Sequence, residues 1–87
     1  MKKNSNVLER EIAGEAVLLN VDSGNYIVLN GTGSFIWSRL SSLDPREIID
    51  ELCARFNVET GLAEAGLNRF VGELAKEGMV EGDRQDT

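Results

Sequence analysis

The sequence has no histidine and a single cysteine, Cys53, and these two shortages remove much familiar chemistry. No disulfide can form within the chain. The usual zinc clusters need several Cys and His ligands and are excluded as well. Cys53 follows Ile48-Ile49-Asp50-Glu51-Leu52, where helical spacing asks for a small buried apolar residue, and no imidazole exists to activate it as a nucleophile. There is no Gly-rich phosphate loop ending in Lys-Ser/Thr and no Gly-x-Gly-x-x-Gly fingerprint. The carboxylates are scattered over helix faces, as an ordinary solvated surface requires. The expectation is a binding protein, not an enzyme, with no metal and no cofactor of its own.

Positive charge is also scarce. Nine Lys and Arg stand against fifteen Asp and Glu, for a net charge of -6 and a pI near 4.5, and only Lys2-Lys3 are adjacent. Neutralising a phosphate backbone takes a basic patch, so nucleic acid is not the expected partner. No apolar run approaches the ~20 residues that span a bilayer. The basic start, Met1-Lys2-Lys3-Asn4-Ser5-Asn6, leads into no apolar segment of the signal-peptide kind, so a cytoplasmic location without membrane attachment is expected. Eighty-seven residues allow one domain, 1–87, with polar ends at 1–6 and 81–87 expected to be loose tails.

What is present divides into two halves. The first reads as strands: Val7 to Ile12, a turn at Gly14-Glu15, then Ala16-Val17-Leu18-Leu19-Asn20-Val21. Asp22-Ser23-Gly24-Asn25 signals a hairpin, and Tyr26-Ile27-Val28-Leu29 supplies a third strand of aromatic and branched residues. Short links make neighbours antiparallel.

The second half reads as three helices. Asn30 or Thr32 caps the first, in which Phe35, Ile36 and Leu40 recur around Trp37 at helical spacing. Asp44, Pro45 and Glu47 form the start signature of the second, followed by the stripe Ile48, Ile49, Leu52, Cys53 and Phe56. The third starts near Thr60 to Ala63, carries Leu67, Phe70, Val71 and Leu74, and ends at Gly78. Phe35, Trp37, Phe56 and Phe70 are assigned to the core, with Trp37 anchoring helix to sheet. The fold class is α+β: a three-stranded antiparallel sheet followed by three helices, in a winged helix-turn-helix-like arrangement.

A meander has two edges. Its first strand carries Glu9, Arg10 and Glu11, charges that discourage a further strand; its third carries no charge and no proline. Alternation puts Ile27 and Leu29 on one face and Tyr26 and Val28 on the other, so some apolar surface stays available beside a bare edge. An extended peptide can add there as another strand, with the third helix as the wall of the groove and Arg69, Glu73, Lys76 and Glu77 selecting by charge. Alternatives are a structural module whose third strand pairs in a homodimer, and a winged-helix nucleic-acid-binding regulator.

The order and spacing of Glu15-Ala16-Val17-Leu18-Leu19-Asn20, Gly24-Asn25-Tyr26-Ile27-Val28-Leu29-Asn30, Thr32-Gly33 and Ile36-Trp37 resemble the PqqD family. Glu47-Ile48, Leu52, Phe56-Asn57-Val58, Phe70-Val71, Leu74 and Gly78-Met79-Val80 continue the likeness over nearly the whole chain. The block from Leu29 to Trp37 is also similar to stand-alone leader-binding proteins of lasso-peptide pathways. The resemblance implies a RiPP recognition element: a peptide chaperone that binds the leader segment of a ribosomally made precursor and presents it to a modifying enzyme, such as a radical S-adenosylmethionine protein or a leader peptidase. It implies strand addition at Tyr26, Ile27, Val28 and Leu29, facing Leu67, Arg69, Phe70, Glu73 and Leu74 of the last helix.

Overall fold

The computed structural model describes residues 1–81. Strands β1 (Val7–Ile12), β2 (Glu15–Asn20) and β3 (Tyr26–Leu29) precede helices α1 (Gly31–Arg39), α2 (Pro45–Phe56) and α3 (Thr60–Lys76). The sheet is an antiparallel meander in the order β1-β2-β3, so β1 and β3 are its edges. This is the α+β architecture expected from strands first and helices after.

The first turn falls at Ala13-Gly14, one residue earlier than Gly14-Glu15. Both residues have positive φ, 53° and 84°, which gives the tight hairpin a twist matching its strands. Val21 lies outside β2 and half of it is exposed, although its amide still donates to the Asn6 carbonyl at 3.0 Å before the chain enters the Asp22–Asn25 turn. Asn30, not Thr32, caps α1: its side-chain oxygen accepts from the Gly33 amide at 2.7 Å. Asp44 and Glu47 form the reciprocal capping box that opens α2.

Gly78 ends α3 with a φ of +76°, as only glycine does readily. The Met79 amide then reaches back to the Leu74 carbonyl at 2.8 Å and the Gly78 amide to that of Ala75 at 3.2 Å. These are the two bonds of a Schellman cap, and its apolar partners Leu74 and Met79 are both fully buried.

One face of the sheet packs under the helices. Leu18 and Leu29 join Ile36, Trp37, Leu40, Ile48, Leu52, Leu67 and Leu74 in a single core. Each large side chain buried there contributes about 1.5–3 kcal/mol relative to exposure. Trp37 does join helix to sheet: its indole N–H donates to the Glu9 carboxylate of β1 at 2.9 Å, and the Lys3 ammonium sits 4.4 Å from the ring centroid. Phe35 is buried as expected, whereas Phe56 is 38% exposed and meets it edge to face, centroids 5.5 Å apart. Phe56 is the last residue of α2, and Phe35 covers only part of its ring. Cys53 is half-buried, its sulfur 3.8 Å from the Thr60 hydroxyl.

The amino-terminal segment differs from a loose tail. Lys3 bridges to Val80, the Asn4 amide donates to the Met79 carbonyl at 3.0 Å, and the Glu81 amide donates to the Lys2 carbonyl at 2.8 Å. Main-chain groups of 2–4 thus find partners in the strand-like residues after α3. Residues 82–87, most of the other expected tail, lie outside the described residues. Among the described residues no helix is long and apolar enough to cross a membrane.

Candidate functional site: an open strand edge beside an apolar groove

The register of the sheet decides which backbone groups are free. Antiparallel neighbours alternate between pairs that exchange hydrogen bonds and pairs that do not. The Asn20 amide donates to the Asn25 carbonyl at 2.9 Å. Counting from there, the bonded pairs are Leu18 with Ile27 and Ala16 with Leu29, while Leu19–Tyr26 and Val17–Val28 are the unbonded ones. The N–H and C=O of Tyr26 and Val28 therefore point away from β2, toward open space on the edge. Ile27 and Leu29 spend theirs on the ladder.

The side chains divide in the same way. Tyr26 is 66% and Val28 49% exposed on the outer sheet face, Ile27 is half-buried on the inner face, and Leu29 is buried in the core. Leu8 and Ile12 are exposed on the outer face too, and their neighbours Val17 and Leu19 are half-buried.

Two hollows border α3, one toward α1 and α2 and the other toward β3. The first, of about 320 Å³, is lined by Asn30, Thr32, Gly33 and Ile36 of the α1 end, Leu52, Phe56 and Val58 at the end of α2, and Leu62, Ala63, Gly66, Leu67, Arg69, Phe70 and Glu73 of α3. The second, of about 490 Å³, lies between Gly24, Asn25, Tyr26 and Ile27 on one side and Glu73, Lys76 and Glu77 on the other. Glu73 borders both, and along α3 the surface passes from an apolar hollow at the α1 end to a charged one beside β3.

Each residue expected at this site can now be placed. Tyr26, Ile27, Arg69, Phe70 and Glu73 border the groove, and Leu67 forms part of its floor. Val28 faces out beside the open edge. Leu74 is elsewhere: it has no exposed surface and belongs to the core, because the stripe that carries it turns toward the sheet. The groove also takes in Ile36, Val58, Leu62 and Gly66, which the sequence pattern does not single out as site residues, and Phe56, which its spacing assigns to the core. A signal for them existed. Leu62, Gly66, Arg69 and Glu73 follow helical spacing one step beside the core stripe, and Leu62 is 66% exposed despite being apolar.

Comparison with known proteins gives this site a context. The family described as Coenzyme PQQ synthesis protein D (PqqD) matches residues 15–80. A solved structure of TbiB1 in complex with the TbiA(beta) leader peptide is 36% identical, with a TM-score of 0.87, covering 98% of this chain and 100% of that one. A lasso peptide synthetase B1 complexed with the leader peptide is 27% identical, with a TM-score of 0.85, covering 92% of this chain and 95% of that one. No curated protein matches the sequence. With a family match spanning both the open strand and the helix that faces it, the chain belongs to the PqqD family.

Proposed function

We propose that this protein binds the leader segment of a ribosomally synthesised precursor peptide and presents it to a modifying enzyme. The leader adds to β3 as a fourth strand. Its main chain pairs with the free N–H and C=O groups of Tyr26 and Val28, and alternate side chains enter the groove under α3. The chain's own part is binding and delivery; covalent chemistry belongs to the partner enzyme, of the radical S-adenosylmethionine or leader-peptidase kind. The leader complexes formed by the two similar proteins support a precursor of the lasso class.

One observation carries this reading: the unpaired backbone groups of Tyr26 and Val28 lie on the edge strand whose start borders the charged hollow, and that hollow meets the apolar one at Glu73. Either feature alone has other uses, but together they match the needs of an extended peptide, which brings both a backbone and side chains. The test is a titration of isotopically labelled protein with the TbiA(beta) leader peptide. Amide resonances of residues 26–29 and of the groove side of α3 are expected to shift together. A tight complex whose shifts map to β1 or to the outside of α2 would overturn the site. Sedimentation of the free protein checks the other occupant of that edge: a stable dimer with β3 protected and no peptide affinity would replace the leader by a second copy.

A further inference from the structure

We infer that Asn20 is a positioning residue of this groove: through the Gly78 carbonyl it sets how far α3 stands from β3. The inference rests on the leader-binding reading above. Asn20 is 5% exposed and is the one buried polar side chain among the described residues. A buried amide must find partners, and those of Asn20 lie on the two elements that flank the groove. Its oxygen accepts from the amides of Asp22 at 2.9 Å and Ser23 at 3.1 Å, in the turn that feeds β3. Its nitrogen donates to the Gly78 carbonyl at 2.8 Å, at the cap of α3. One side chain thereby ties the start of one groove wall to the end of the other.

The rest of the fold makes that tie consequential. β3 and α3 have few direct contacts, so the distance between them is set from their ends. At the far end, Gly33 of α1 faces the Phe70 ring of α3: a Cβ there would lie 3.4 Å from the ring, an ordinary contact distance. At the near end stands Asn20, packed so closely on Gly78 that a Cβ there would lie 2.8 Å from the Asn20 nitrogen. Asn4 donates to the same carbonyl at 2.9 Å and reinforces this end. A helix held at both ends behaves as a rod; releasing one end lets Glu73 and Lys76 move relative to Tyr26 and Ile27.

Asn20→Asp tests this selectively, because it keeps the acceptor for the turn amides, removes the donor and sets a carboxylate against the Gly78 carbonyl. Affinity for the TbiA(beta) leader peptide is measured by calorimetry well below the melting temperature, with Ile48→Val, a core change in α2, as a stability control. Loss of one groove-setting hydrogen bond is expected to weaken binding about tenfold. The control should lower stability and leave affinity unchanged. Should Asn20→Asp fail to fold, Asn4→Ala removes the second donor to the same carbonyl, with an expected weakening of about threefold. Wild-type affinity in the folded variants, or an equal loss in the control, overturns the inference while leaving the leader-binding reading intact. Absence of any binding by the wild-type protein defeats both.

Discussion

The two edge strands of this sheet present the same backbone pattern and opposite chemistry. In β1 the groups pointing away from β2 belong to Val7, Glu9 and Glu11, by the same alternation that frees Tyr26 and Val28 in β3. Two of those three β1 positions carry carboxylates, and one of them, Glu9, is engaged by the Trp37 indole. An incoming strand there would meet negative charge and a tethered side chain. On β3 the free positions, Tyr26 and Val28, would offer it a phenol and a branched apolar side chain, with a hollow alongside. Unpaired backbone groups are common to any sheet edge; what makes one edge a binding site is the side chains placed at the free positions and the hollow beside them.

Altering one edge at a time tests this contrast. The largest effect is expected from Val28→Pro, which removes a free N–H without touching the β2–β3 ladder. Affinity for the leader peptide should fall by about 2 kcal/mol, some thirtyfold, with the melting temperature little changed, as calorimetry and thermal unfolding will show. Phe70→Ala takes the ring from the groove but leaves the edge intact. An affinity loss of about tenfold, measured the same way, is expected from the apolar contact removed.

Glu11→Val removes a guard from β1. Sedimentation should then show weight-average mass rising with concentration, while leader affinity stays at the wild-type value. Ala13→Asn is the smallest change: asparagine accepts the positive φ of the β1–β2 turn more readily than alanine, so denaturant unfolding should show a gain of about 0.5 kcal/mol with no change in binding.

Much of the site was legible because its signals are local. The absence of charge from Tyr26-Ile27-Val28-Leu29 and its presence in Glu9-Arg10-Glu11 are read directly from the chain, and strand alternation does the rest. The groove wall was less legible. Leu74 and Leu67 share a stripe and both are buried in the core, yet only Leu67 also reaches the groove floor. The spacing of Phe56 continues the α2 stripe and so points inward, but it is the terminal residue of the helix and is covered on the Phe35 side while the rest of the ring is left to the groove. The turn at Ala13-Gly14 was displaced by one residue for another reason: alanine carries no warning that it will take a left-handed conformation.

By itself the sequence determined the element order, the caps at Asp44 and Gly78, the strand left bare of charge and the family pattern that runs through it. These follow from periodicity, from side chains that bond their own neighbours and from conformations only certain residues accept. Tertiary structure alone decided the rotation of α3 against the sheet, the engagement of Glu9 by Trp37, and the junction of Asn4, Asn20 and Gly78. Those depend on contacts between residues far apart in the chain, and no local preference encodes the distance at which two such elements come to rest.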